Sequence, residues 1–442
     1  MINILIIAYE FPPLNSGGSH RPYKFAKNLS QFGIEPIVIT PKTTAHQDKN
    51  IDKSLMSELE NCEFKIIHTE IAPPQKSDKI SETYYFNILD IAAKKWEKHL
   101  VAAIEEVLKT TKIDALYVTA PPFSMAALGA KLSEKFKLPL ILDMRDAWSN
   151  WCVTPFVSYL HYQLTRLQER KALSAAAAII ATSDQTLLDF QQLHPNIAKE
   201  RFHLITNAFD ATVPTFPSSL KIAAASREKP LKIGYVGSFY YTPYQRSLMF
   251  NPWWKKKPYQ FLQYTPRKED WLYRSPFFFF GILAALKAKN AELAQLLKIE
   301  FAGAVPDWLP DMIKSFGLED LIDLKGRMSH KDALEFQAQC DLLLITSSKV
   351  INGQDYSIAG KTFEYICMKK PILAVLCEGA QKRLLEQTGL SLNLDPDDIE
   401  TSAALLENLI QGNLSIAPNQ AFISTLHIEK TTSHLADIIR NV

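Results

Sequence analysis

Short apolar runs recur along almost the whole chain, each followed by a segment of helical periodicity, and the series stops once and starts again. The first series predicts strands at Ile2–Ala8, Pro36–Thr40, Phe64–Thr69, Asp114–Thr119, Leu138–Asp143, Ala177–Ala181 and His203–Thr206. From Asn207 to Pro230 the composition turns to Ala, Ser, Thr and Pro without strong periodicity, the character of a connection. A second series opens at Leu231–Val236 and continues at Lys298–Ala302, Leu321–Lys325, Asp341–Ile345, Pro371–Leu376 and Ser391–Leu394. Runs that are apolar throughout and alternate with helices belong to parallel sheets covered on both faces. At 442 residues the chain also exceeds what one hydrophobic core normally holds. The expectation is an α/β protein of two such domains, 1–210 and 231–420, joined by a linker at 211–230. The tail 421–442 contains the amphipathic stretch Ser433–Arg440, which predicts a docked final helix.

Composition removes several alternatives. With 47% hydrophobic and 22% charged residues this is an ordinary globular chain, and a net charge of +2 does not suit a wholesale nucleic-acid binder. The five cysteines, Cys62, Cys152, Cys340, Cys367 and Cys377, are odd in number and lack C-x-x-C spacing, so buried thiols in a reducing compartment are expected. Met1 leads straight into Ile2–Ala8 with no basic segment, which predicts a first strand and no signal peptide. The longest apolar run, Phe277–Leu286, has about half of the ~20 residues that cross a bilayer. A cytoplasmic protein, or one peripheral at the inner membrane face, is the expectation.

Chemistry concentrates between two runs of the second series. Gly353-Gln-Asp-Tyr-Ser-Ile-Ala-Gly360 predicts a loop, and Lys361-Thr-Phe-Glu-Tyr-Ile-Cys367 a helix with Phe363, Ile366 and Cys367 on one apolar face. Lys361 and Glu364 share another face, three residues apart. A helix opening between Ser357 and Gly360 presents free N–H groups and a positive dipole end beside Lys361, which is an anion site. Glu364, one turn on, can accept hydrogen bonds from a vicinal diol such as ribose. Together these describe a site for a nucleotide diphosphate. A solvated Lys–Glu pair on an ordinary amphipathic helix fits the spacing equally well.

Ligands bind in loops at the carboxyl ends of parallel strands, and the first half has four unusual ones. Tyr9–Arg21 carries Gly17 and Gly18, which either let backbone approach a phosphate or sugar closely or merely make a turn. It is neither G-x-G-x-x-G nor a P-loop, which weakens a dinucleotide or ATPase reading. Thr119–Ser124 is broken by Pro121 and Pro122. Asp143-Met-Arg-Asp-Ala-Trp148 puts two carboxylates and a guanidinium just past an apolar strand. Asp146 is a candidate to orient or deprotonate a hydroxyl acceptor, with Arg145 tuning it or binding phosphate; an Asp146–Arg145 pair or a helix cap is the alternative. Thr182-Ser-Asp184 is expected to cap the next helix.

Tyr240–Pro276 interrupts the second domain with eleven aromatics and with seven Lys or Arg against two acids. A loop this long is functional or disordered, and disorder does not favour so many aromatics. Trp, Tyr and Lys together suit a membrane interface or a lipid-linked acceptor. Stacking on single-stranded nucleic acid uses the same composition, and a small self-packed cluster is the third possibility. Arg274, at its end, is expected to enter the Phe277–Lys287 helix near its N-terminus, where a cation is unfavourable unless it serves an anion. Gly326-Arg-Met-Ser-His330 follows a strand and can present backbone groups to a flat base, or simply cap a helix with Ser329. No histidine pair has metal spacing and no D-x-D stands at a strand end, so a metal-independent site is expected.

In this order the motifs resemble those of a GT-B glycosyltransferase, a pair of Rossmann-like domains facing across a cleft. The glycine pair after the first strand, Asn207-Ala-Phe-Asp210 before the linker, Gly237-Ser-Phe239, and Gly360-Lys-Thr-Phe-Glu-Tyr365 followed by Lys370-Pro-Ile-Leu-Ala374 carry the resemblance. They are similar to the group 1, or family 4, retaining enzymes of bacterial surface-polysaccharide synthesis. Asp143–Trp148 resembles the Arg-Asp-aromatic loop of the amino-sugar transferases. The resemblance covers nearly the whole chain except the aromatic insertion. It implies a nucleotide diphosphate-sugar as donor substrate with no cofactor, a glycan or lipid-linked acceptor, and no nucleic acid. Glu364 would bind ribose, Lys361 and Arg274 the diphosphate, and Arg327, Met328 and Ser329 the base. Ser238, Asp355 and Thr362 fall in motif positions beside the donor, and Gly17, Gly18 and Asp146 would face donor and acceptor from the first domain.

Two positions depart from that pattern. The family's second glutamate, eight positions before Glu364, is Tyr356 here, with Asp355 adjacent as a substitute. The short Gly-rich turn and basic pair after Gly237 are replaced by the insertion, so Arg274 is assigned by position. The alternatives are a non-catalytic sugar-nucleotide or glycan-binding partner of a polysaccharide assembly complex, and a nucleotide-sugar epimerase on the same fold.

Overall fold

The computed structural model describes residues 1–14, 16–42, 51–52, 56, 59–60, 62–73, 89–150 and 155–442, apart from the side chains of Tyr259 and His330. Strands β1 (Ile2–Ile7), β2 (Ile34–Pro41), β3 (Lys65–Thr69), β4 (Ala115–Ala120), β5 (Leu140–Met144), β6 (Ala178–Ala181) and β7 (Phe202–Leu204) form one sheet in the order β3-β2-β1-β4-β5-β6-β7. Every neighbouring pair is parallel. After β8 (Leu220–Lys221) come β9 (Leu231–Val236), β10 (Lys268–Asp270), β11 (Leu297–Ala302), β12 (Ile322–Gly326), β13 (Leu342–Thr346), β14 (Lys349–Ile351), β15 (Ile372–Val375), β16 (Ser391–Leu394) and β17 (Ser415–Ile416). Six of these make a second parallel sheet, ordered β12-β11-β9-β13-β15-β16. The principal strands lie within two residues of the apolar runs, because strands covered on both faces must be apolar throughout.

Each sheet begins in its middle and reverses direction, between β1 and β4 in the first and between β9 and β13 in the second. At such a reversal the loops leave to opposite sides and open a crevice at the carboxyl ends of the strands. Helices cover both faces. In the first domain Trp96, Leu100, Leu128 and Leu132 pack with Leu5 and Val118 on one side, while Phe25 and Leu29 pack with Ile4 and Ile6 on the other.

The chain ends by crossing back. The helix Ile428–Asn441 buries Leu435, Ala436, Ile438 and Ile439 in the first domain's core, and Arg440 donates to the Phe32 carbonyl at 2.7 Å. At roughly 1.5–3 kcal/mol for each large apolar side chain, this helix anchors the tail in the first domain, while the linker docks on the second, where Phe216 and Leu220 pack on the core and β8 pairs with β17.

The insertion carries regular structure of its own and also reaches beyond itself. Thr242 caps a helix, Pro243–Phe250, and β10 pairs antiparallel with β14. Tyr264 reaches the first domain, exchanging backbone hydrogen bonds with Phe156 at 2.8 and 3.0 Å. Arg274 lies in a 3-10 turn, Trp271–Arg274, ahead of the Phe277–Lys289 helix and not inside it. Cys62, Cys340, Cys367 and Cys377 are free thiols, and Cys152 lies outside the described residues. Among the described residues no helix is long and apolar enough to cross a membrane.

Candidate functional site

A cavity of about 960 Å³ opens between the domains at the two sheet reversals. From the first domain it is lined by Gly17, His20 and Lys24 after β1, by Asp146 after β5, and by Asn207–Ala211. From the second come Tyr235, Tyr240, Arg274, Asp355, Lys361 and Glu364. Six of the residues singled out from the sequence, Gly17, Asp146, Arg274, Asp355, Lys361 and Glu364, therefore share one cavity.

Lys361 opens the helix Lys361–Cys367, with Gly360 before it. Its ammonium donates to the Val236 carbonyl at 3.1 Å and sits 3.9 Å over the Tyr235 ring. Gly237 has φ +119°, and a Cβ there would stand 3.1 Å from Lys361 Nζ, so glycine keeps both the turn and the room. Burial pulls the Lys361 pKa down to about 7, against the opposing pull of Glu364. The Glu364 carboxylate, one turn on, is exposed to the cavity and makes no hydrogen bond or ion pair among the described residues.

Arg274 is held by the insertion. Its guanidinium pairs with Glu269 at 3.0 Å and donates to Ser357 Oγ at 2.8 Å. Burial opposes its charge, but Glu269 and Asp355 outweigh that and raise its pKa. Asp355 is 1% exposed, accepts from Ser348, from Ser357 N–H and from Ser357 Oγ, and has Oδ2 unpartnered. Burial raises its pKa in spite of Arg274. Across the cleft burial likewise raises Asp146, against Arg145 and Arg274.

The Asp143–Trp148 loop separates its charges: Arg145 opposes the burial that raises the Asp146 pKa without forming an ion pair with it among the described residues, and Asp143 has a partner of its own. Asp143 is fully buried and is gripped by Arg21, with Nε 2.9 Å from Oδ2 and Nη2 2.9 Å from Oδ1. Arg145 turns to the Pro121 carbonyl and to Glu10, 3.8 Å away, and packs where Gly18 leaves space. Asp146 is thereby left facing the cavity. Ser183 caps the helix Asp184–Leu193 as expected, and Asp184 then reaches Arg383 of the second domain at 2.7 Å.

The remaining candidates do not reach the cavity. Gly18 is buried behind Arg145, Ser238 is exposed with its carbonyl accepting from Tyr235, and Thr362 is buried against Gln381. Arg327 is exposed outside the cavity lining, Met328 packs on the core, and Ser329 caps the helix His330–Gln339. Tyr356 also points elsewhere, 4% exposed, with its hydroxyl on Glu269. Sequence reasoning missed His20, Lys24, Tyr240 and Glu269. The first two were findable as the polar residues opening the helix after Gly17 and Gly18; burial and Lys24 hold His20 below its usual pKa, against Glu364. Among the described residues no group of three or more His, Cys, Asp or Glu has metal-ligand geometry.

No protein-family model matches the chain. A stretch of 155 residues is 30% identical to the probable glycosyltransferase WbjE of Pseudomonas aeruginosa, covering 33% of this chain. The match spans 38% of that relative's length. Solved structures align over the whole chain: Anabaena Alr3699/HepE in complex with UDP, at 15% identity and TM-score 0.57 over 100% of both chains, and sucrose-phosphate synthase from Thermosynechococcus elongatus, at 12% and 0.58 over 100% of this chain and 99% of that one. HepE has also been solved with UDP-glucose, aligning at 14% identity and TM-score 0.55 over 100% of both chains. Two parallel sheets with reversed strand order, a cleft between them and a final helix returning to the first domain make this chain a two-domain α/β protein of the GT-B fold.

Proposed function

We propose that the cleft binds a nucleotide diphosphate-sugar and transfers the sugar, with retention and without a metal, to a glycan or lipid-linked acceptor in surface-polysaccharide synthesis at the cytoplasmic membrane face. The observation that carries this reading is the meeting of Lys361, Arg274 and Glu364 on one wall of the cavity, opposite Gly17 and Asp146. Two cations give a diphosphate its counter-charge, and an unengaged carboxylate one turn from Lys361 is free to accept a ribose diol. Such a reaction needs little more than positioning and leaving-group neutralisation in a closed cleft. The likeness to a glycosyltransferase, and the UDP and UDP-glucose bound by a protein of the same fold, support it. Asp355, 1% exposed, would act on the donor through the Ser357 hydroxyl and Arg274 that it holds, and Asp146 would orient the acceptor hydroxyl.

A second reading, a sugar-nucleotide-binding partner without turnover, has one observation in its favour: Tyr356, in the family's glutamate position, is turned away from the cavity. Thermal stabilisation by a panel of nucleotide diphosphates and nucleotide-sugars, on wild type and Glu364→Ala, tests the binding half. The expected result is a shift with one nucleotide-sugar that Glu364→Ala removes; no shift in a folded protein overturns the reading. Turnover against acceptor extracts then separates transferase from binding partner, and release of free nucleotide without acceptor identifies an epimerase.

A further inference from the structure

We propose that the insertion and the start of the helix Tyr159–Ala175 form one docking face for an anionic lipid bilayer, shared by both domains. It deepens the reading of a membrane-face transferase and rests on that reading for its purpose, though not for the binding itself.

The apolar part of the face is exposed in both domains. In the insertion Trp253, Trp254, Phe261 and Leu262 are 71%, 68%, 57% and 75% exposed, and in the first domain Tyr159 and Leu160 are 56% and 64% exposed. The two groups are joined: the Tyr264 ring lies 5.0 Å from Tyr159 and 4.8 Å from Tyr162, and its backbone is bonded to Phe156. Single exposed apolar residues are normal, but a cluster containing adjacent tryptophans marks an interaction site.

Charge selects the occupant. Lys255, Lys256 and Lys257 follow the tryptophans directly and make no ion pair among the described residues, and no acid occurs between 240 and 268. Tryptophan rings at headgroup depth, aliphatic tips below them and lysine ammonium groups at the surface match an anionic bilayer. Single-stranded nucleic acid fits less well. Trp253 and Trp254 stand edge to face, 87° apart, and give no parallel stacking platform, while Leu160 and Leu262 have no π face to offer a base.

The test is sedimentation of the full chain with phosphatidylglycerol–phosphatidylcholine vesicles and with phosphatidylcholine alone. The melting temperature of every variant without ligand serves as the control for folding, and nucleotide-induced stabilisation is measured separately. Wild type is expected to bind the anionic vesicles, and to bind them less at high salt. Replacing Lys255, Lys256 and Lys257 by Gln together should weaken binding on the order of 100-fold, from about fivefold for each lysine at an anionic surface. The Trp253→Ser, Trp254→Ser double variant and Leu160→Ser, on the other domain, should each weaken it as well. Absence of vesicle binding, or binding unchanged in the tryptophan and Leu160 variants, overturns the proposal. So does binding of an oligothymidylate in place of vesicles. Vesicle binding without any nucleotide response would sink the transferase reading and leave this one standing; a nucleotide response without vesicle binding does the reverse.

Discussion

The hydroxyl of Tyr356 donates to Glu269 across 3.2 Å, and the same carboxylate holds Arg274 at 3.0 Å. Tyr356, at the position where the resembled family has a glutamate, therefore has a glutamate behind it, supplied by the insertion. The Tyr356 carbonyl in turn accepts from Ser183 and Thr186 of the first domain, at 2.5 and 3.4 Å. Domain contact, insertion and cleft arginine form one connected network, in which Glu269 carries the counter-charge nearest to Arg274.

Removing that carboxylate leaves a partly buried guanidinium bonded to Ser357, with Asp355 and Asp146 as its remaining acidic neighbours. Glu269→Ala is expected to destabilise the fold by about 3–5 kcal/mol, the range for breaking one side of a buried pair. Glu269→Gln keeps an acceptor for Tyr356 and should cost less. Urea unfolding of the two variants decides: if Ala is no worse than Gln, Glu269 does not act through this network.

Lys361 couples binding to pH. Its folded pKa is about 7 against about 10.4 in the unfolded chain, so between those values the folded protein holds fewer protons than the unfolded one. This group's contribution to the stability of the ligand-free protein therefore rises with pH across that window. A diphosphate beside the ammonium favours its charged form, so binding of UDP above pH 7 should take up a proton. Titration calorimetry at pH 8 in buffers of different ionisation enthalpy is expected to show that uptake, which should shrink at pH 6 and vanish in Lys361→Ala. Equal apparent heats in all buffers at pH 8 would place the diphosphate away from Lys361.

What was legible in the sequence is what is local. Leu342–Ile345 had to be a buried strand because all four residues are apolar, and each is at most 1% exposed. Lys361 and Glu364 meet the cavity together because they share one helix face. Thr362 shares their motif, but a step of about 100° per residue turns it to Gln381. The pairs that sort the charges are distant: Arg21 finds Asp143 122 residues on, and Tyr356 finds Glu269 87 residues back. No periodicity encodes such partners, nor the three-residue strands β10 and β14 that bring Glu269 into place.

The two glycines after β1 should separate by substitution. A Cβ on Gly17 meets nothing within 4 Å, whereas one on Gly18 would stand 1.9 Å from Arg145 Nη1 and 2.2 Å from Glu10 Oε2. Both clashing atoms are side-chain ends, but Arg145 is pinned to the Pro121 carbonyl and has little room to yield. Gly18→Ala is expected to lower stability by about 1–3 kcal/mol, as overpacking does. Gly17→Ala should leave the melting temperature unchanged and weaken nucleotide-sugar binding alone, because its Cβ would project into the cavity. Thermal melts with and without nucleotide distinguish the two, and equal destabilisation would contradict the loop geometry.

Two arginine–aspartate pairs of similar length should behave in opposite ways. Arg21–Asp143, at 2.9 Å, has side chains 5% and 0% exposed, and Arg21 is further held by the Ile205 and Thr206 carbonyls at 2.8 Å. Arg383–Asp184, at 2.7 Å, crosses between the domains with side chains 30% and 39% exposed. Water screens the second pair, so Asp184→Ala is expected to cost at most about 1 kcal/mol, and less in high salt. Asp143→Ala strands a charge that the two carbonyls can bond but cannot neutralise, and the expected loss is about 3–5 kcal/mol with little salt dependence. Denaturant unfolding at low and high ionic strength measures both. A salt-insensitive loss at Asp184 would mean that the domain contact is dry, and a loss at Asp143 no larger than at Asp184 would mean that Arg21 reaches water when its partner is removed.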